Sequence, residues 1–139
     1  MNRIREPQPR TKNTLPIPNL RQALPVTVDL SKEGLDMVFK DYQVLMLQHM
    51  WEMKRKSPHL TQNSGDLWRM VNARLPEGGS KSRASVIFSA NDFVDLGVWS
   101  FEDRTGKGGH HRAYYASIDE EMLWDRLANT IMEKLPQGR

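Results

Sequence analysis

Cysteine is absent from the 139-residue chain. Disulfides, thiolate zinc sites and cysteine nucleophiles are therefore excluded, and a cytoplasmic location is expected, since disulfides are rare there. Long apolar runs are missing too; none approaches the ~20 residues that a membrane-spanning helix needs. Residues 1–10 are polar and carry Pro7 and Pro9, which argues against a secretory signal at that end. No internal repeat is present. Catalytic patterns are equally scarce. No spacing suits a nucleophile with its base and orienter, and the acidic run Asp119-Glu120-Glu121 reads as a solvated face. No enzyme activity, cofactor or resident metal is expected.

Three features imitate ligand sites and fail on geometry. His110 and His111 are neighbours on an expected strand, so their side chains point to opposite faces. Met46, Met50 and Met53 follow helical spacing, which reads as core filling by a pliable side chain. Gly106-Lys107-Gly108-Gly109 lacks the spacing of a phosphate-binding loop and precedes a strand instead of a helix.

What is present fits one domain with a modest core. Hydrophobic residues make up 38% and charged residues 27%, as in an ordinary globular chain, and the formal net charge is +3. The distribution of charge says more than the total. Acidic residues gather at Asp119, Glu120, Glu121 and Asp125, while Lys81, Arg83, Arg104, Lys107 and Arg112 crowd an earlier stretch, as in an electrostatic footprint for phosphate. Residues 1–30 are proline-rich and more basic than acidic, without apolar periodicity. They read as an extended arm ending in a short strand over 26–30. The arm is either a tether or a basic segment touching DNA backbone.

The rest has strong periodicity. Phe39, Tyr42, Leu45, Met46, His49 and Met50 predict a helix over residues 35–54, stopped before Pro58. An extended link at His59-Leu60 follows. Thr61 or Ser64 then caps a second helix reaching Leu75, with Leu67, Val71 and Leu75 on its inner face. After a turn over 76–80, Val86, Ala90, Phe93 and Val94 face inward on a third helix over 82–97, and Gly97 ends it in the left-handed conformation. Alternation over 98–103 and 111–116 about a glycine-rich turn predicts a β-hairpin spanning 99–117. Ser117 and Glu120 form a capping box for a last helix reaching Leu135. Its stripe of Leu123, Trp124, Leu127, Ile131 and Leu135 is read as pairing with a second subunit, and a stripe this wide can at the same time pack on the first helix.

Helix, extended link, helix, turn, helix and hairpin is the order of a winged helix-turn-helix. The expected fold is α+β, mainly α. It comprises the arm (1–30), a winged-helix domain (31–117) and a C-terminal dimerisation helix (118–139). The first turn of the third helix offers Ser82, Arg83, Ala84 and Ser85, small enough to enter a major groove about 12 Å wide. The hairpin tip adds Lys107, His110, His111 and Arg112. The acidic second half of that helix, Asp92 and Asp95, should stay off phosphate; together with Ile87 and Phe88 it keeps open a rival role as a protein–protein module.

Ser82-Arg83-Ala84-Ser85-Val86 and Phe93-Val94-Asp95-Leu96-Gly97-Val98 resemble the recognition helix and glycine stop of winged-helix repressors. With Asp41-Tyr42-Gln43-Val44-Leu45, Met50-Trp51-Glu52 and Arg112-Ala113-Tyr114-Tyr115, the chain is most similar to the penicillinase-repressor family over residues 41–117. The resemblance implies a homodimer repressing transcription from a palindromic double-stranded DNA operator, with Arg83, Ala84, Ser85 and Ser89 at the groove and the hairpin flanking it. Three departures stand out: the link over 76–81 is long, the C-terminal region is a single helix, and cysteine-based metal sensing is impossible. Nothing in the sequence points to an inducer.

Overall fold

Local signals set most element boundaries. The computed structural model describes residues 26–106 and 109–135. Among these are four helices, α1 (Asp41–Lys56), α2 (Ser64–Arg74), α3 (Arg83–Asp95) and α4 (Glu120–Lys134), and two strands, β1 (Trp99–Gly106) and β2 (Gly109–Ala116). The chain is thus mixed α+β and mainly helical, and no described helix is long and apolar enough to cross a membrane.

The helix expected over 35–54 divides in two. A 3-10 turn occupies Gly34–Met37, and Lys40 is extended before α1 begins. The Gln43 side chain accepts from the Lys40 amide at 2.9 Å, satisfying a donor at the new start. Phe39 still enters the core, from outside the helix. The cap of α2 is neither Thr61 nor Ser64 but Asn63. Its carboxamide accepts from the Asp66 amide at 2.8 Å, and the Asp66 carboxylate accepts from the Asn63 amide at 3.1 Å.

Residues 26–30 form no strand, and the expected arm lies outside the described residues up to residue 25. The extended link falls at Gln62, later than His59-Leu60. Its backbone exchanges two hydrogen bonds with Tyr114, at 3.0 and 2.8 Å.

Gly97, at φ 79°, turns the chain out of α3 as expected. Its amide bonds the Val94 carbonyl and the Val98 amide bonds the Phe93 carbonyl, both at 2.9 Å. This is the paired closure of a Schellman end, with Val98 and Phe93 buried beside it. The chain leaves directly into β1, which pairs antiparallel with β2 from Trp99↔Ala116 to Gly106↔Gly109.

One core joins all the elements. Met46 and Leu47 of α1, Leu67 and Val71 of α2, Val86 and Phe93 of α3, and Trp99 of β1 are essentially inaccessible. An aromatic row runs through it: Phe39 to Phe93 (5.7 Å between centroids), Phe93 to Trp99 (4.8 Å), Trp99 to Tyr114 (5.9 Å). The Trp51 indole donates to the Ile118 carbonyl at 3.0 Å, fastening α1 to the segment before α4.

The helix α4 corrects two expectations. Ser117 does not cap it; the Ser117 hydroxyl donates to the Gly97 carbonyl, and Asp119 is the cap, accepting from the Met122 amide at 2.8 Å. Leu123 and Leu127 lie inside the molecule's own core, so they are not available to a second subunit. The buried Arg126 guanidinium donates to the Leu96 carbonyl, tying α4 to the end of α3.

His49, on the buried side of α1, contacts the Gln62 side chain at 3.3 Å. Burial holds its imidazole below the ordinary value of 6.5, against the opposing effect of the Gln62 hydrogen bond. Arg74 adds to the lowering, while Glu52 and Asp66 oppose it. The unfolded chain therefore takes up this proton first as pH falls. Its contribution to stability is complete above the ordinary histidine range and is lost as pH drops through that range towards the folded value. Urea midpoints measured between pH 7.5 and 5.5 should fall in the native protein and fall less in His49→Gln; equal slopes would remove His49 as the cause.

Candidate nucleic-acid interface

The start of α3 is fixed from α2. Across the long link after α2, the Asn72 carboxamide accepts from the Lys81 amide at 2.8 Å and donates to the Lys81 carbonyl at 3.1 Å. The Trp68 indole donates to that same carbonyl at 2.9 Å. Ser82 caps α3, its hydroxyl accepting from the Ser85 amide at 3.1 Å. The first turn is thereby set in direction while Arg83 and Ala84 remain exposed and Ser85 half-buried.

Around α3 the side chains sort by angle. Val86, Ala90 and Phe93 enter the core. Ala84, Phe88, Asp92 and Asp95 are outermost, with Phe88 70% exposed. Arg83, Ile87 and Asn91 face the hairpin, lining an open cleft of about 580 Å³ with the start of α2 and with His110, His111, Arg112 and Tyr114. No carboxylate is among the cleft's described lining residues. Asp103 lies opposite Arg112 in register but outside that lining.

Arg83 reaches across to α2, with a guanidinium nitrogen 3.5 Å from the Ser64 hydroxyl. Gly65 leaves room for the approach. A Cβ there would lie 3.2 Å from Arg83 Nη2 and 3.4 Å from Arg69 Nη1, a crowding that a small shift of the arginines would relieve, so two guanidinium groups converge on the positive end of α2. Asp66 compensates in part through its 2.8 Å ion pair with Arg69. Arg112 is more tightly held, donating to the Asn91 carboxamide oxygen at 2.9 Å and stacking 3.9 Å from the Phe101 ring centroid. The Tyr114 hydroxyl donates to the same Asn91 oxygen at 2.7 Å, and burial raises its pKa. Asn91 therefore sets the angle between α3 and the hairpin. Its place eight residues after Arg83, on the Arg83–Ile87 face, is the sequence signal that could have found it.

The other expected site residues divide. Ser89 is a correction: only 2% exposed, it donates to the Tyr42 hydroxyl and accepts from Gln43, both at 3.0 Å, so it joins α3 to α1 and does not face a groove. Lys81 is turned to the opposite side of α3, its ammonium 5.0 Å from the Tyr42 ring centroid. Arg104 pairs with Glu102 at 2.9 Å, both half-exposed. It stands opposite His111 in register, on the hairpin face away from Arg112. His110 stands opposite Thr105, on the Arg112 face. Lys107 lies outside the described residues. Of the stripe expected to dimerise, Leu123 and Leu127 are buried and Trp124 is half-buried, while Ile131 and Leu135 are 40% and 49% exposed.

No protein-family model, curated protein or solved structure matches the chain.

Proposed function

We propose that this chain is a winged helix-turn-helix regulator that binds double-stranded DNA as a homodimer and represses transcription, as the resemblance to penicillinase repressors implies. One observation carries the reading. The cleft, whose described lining holds no carboxylate, unites Arg83 of α3, Arg112 of the hairpin and the start of α2 beside the exposed Ala84 and Phe88 of α3. A helix with small residues at its start can enter a major groove while flanking cations meet the phosphates on either side. In this reading Arg83 and Arg112 are phosphate contacts, because both lie in the cleft and not on the outermost line of α3. Base contact falls to Ala84 and Phe88. The subunit contact moves from the buried stripe to the exposed end of α4 at Ile131, Met132 and Leu135.

The second reading, a protein–protein module, draws on exposed Phe88 with Asp92 one turn beyond. Selection of the purified protein on random duplex DNA, repeated over a series of salt concentrations, separates the two. A two-fold symmetric site with steeply salt-dependent affinity is the expected result. Failure to retain any duplex at low salt overturns the DNA reading.

A further inference from the structure

A phenylalanine 70% exposed on the outer line of a helix forgoes the stabilisation that burial of such a ring supplies. Phe88 contributes little to the fold, since the core side of α3 is filled by Val86, Ala90 and Phe93. Its surroundings are specific. Ala84 precedes it by one turn on the same line, the cleft holding Arg83 and Arg112 lies to one side beyond Ile87 and Asn91, and the exposed Asp92 and Asp95 follow one and two turns later.

We infer that Phe88, with Ala84, reads the 5-methyl groups of thymine in the major groove and so confers preference for a T-containing step. The inference rests on the DNA-binding reading above and adds to it the chemistry of the base read. The thymine methyl is an apolar group displayed in the major groove, and alanine and phenylalanine side chains suit it. Four helical residues rise about 6 Å, close to two base steps of about 3.4 Å each. Ala84 and Phe88 therefore match methyl groups about two base pairs apart. The charge pattern favours DNA over a protein partner: the cations lie in the cleft on one side of the two apolar residues, and the carboxylates Asp92 and Asp95 stand one and two turns beyond Phe88. Asp92 also sets a limit, because a carboxylate driven further into the groove would meet phosphate repulsion. Readout is confined to the first two turns.

The test uses the full chain and the duplex site it selects, with each thymine replaced singly by deoxyuridine, which removes only the methyl group. Native protein should lose about fourfold in Kd at each methyl that Phe88 or Ala84 covers, the value expected for one buried carbon. Phe88→Ala should bind the thymine site more weakly and become indifferent to the uracil exchange at one of those positions. Its unfolding midpoint, measured alongside, should stay native. Native protein indifferent to every uracil exchange, or Phe88→Ala retaining the full native pattern of losses, overturns the inference and leaves DNA binding standing. Native protein that binds no duplex at low salt overturns the DNA reading and this inference with it. In that case Phe88 belongs to a protein interface.

Discussion

Replacing Leu123 or Leu127 with alanine should cost roughly 2–5 kcal/mol of unfolding free energy. Both side chains are almost wholly inaccessible, 0% and 2% exposed, among residues from the other helices and the hairpin. Domains of this size are stable by only about 5–15 kcal/mol, so either change removes a large share. The cavity comes with a second strain: Arg126, between the two leucines, brings its guanidinium to the Leu96 carbonyl only while α4 stays docked. The measurement is urea denaturation at protein concentrations a hundredfold apart. The same loss at both concentrations is expected, because these residues stabilise one chain. Ile131→Ala and Leu135→Ala should change the midpoint far less at high dilution. A native midpoint for Leu127→Ala would mean that α4 is not part of the core.

Arg112→Ala should weaken binding to every duplex alike by about 1.5–3 kcal/mol, or roughly 10- to 150-fold in Kd. The guanidinium is already oriented by Asn91 and the Phe101 ring, so little side-chain freedom remains to be lost on binding. A phosphate contact removed should also lower the slope of log affinity against log salt by about 0.9. Arg83→Ala should act in the same direction, and the double variant should lower the slope by about 1.8 if each cation meets its own phosphate. Arg112→Lys separates charge from shape. It keeps the positive charge and hence most of the salt slope, but loses the planar fork on Asn91 and the stack on Phe101. A slope unchanged in the double variant would show that neither arginine meets phosphate.

The parts of the fold legible in the sequence are those governed by neighbours in the chain. Inward spacing of Val86, Ala90 and Phe93 and the stop at Gly97 depend on local geometry, and the structure follows them; the hairpin is followed too, but its strands run on to Gly106 and from Gly109, past the residues 105–109 read as a turn. Boundaries moved where a competing local bond was overlooked. Asn63 outcompetes Thr61 and Ser64 because it alone has Asp66 three residues on to return the bond. Phe39 continues the apolar pattern of α1, so periodicity alone hides the break at Lys40.

The candidate site was legible on one side only. Arg83 and Arg112 could be chosen from charge and position, but Arg112 is held at the cleft by Asn91, which carries no charge to attract notice. Ser89 is a groove residue only by the resemblance, one turn on from Ser85. Which side faces α1 is settled by tertiary packing against Tyr42 and Gln43. Likewise, the stripe on α4 is apolar enough for a subunit interface or for the core, and only the packed molecule assigns Leu123 and Leu127 to the latter.

The pairing of Gln62 with Tyr114 makes the hairpin a cantilever. At its root Tyr114 has backbone neighbours on both sides, Phe101 and Gln62. Beyond that clamp, five residues of β2 run out to Gly109, a reach of about 17 Å at ~3.4 Å per residue. A major groove is about 12 Å across, so a beam held at this root is long enough to cross one and set its tip over the far phosphate row. In the proposed complex the position of the far end of the hairpin would then depend on Gln62, in the link between α1 and α2, as well as on the hold of Asn91 on Arg112.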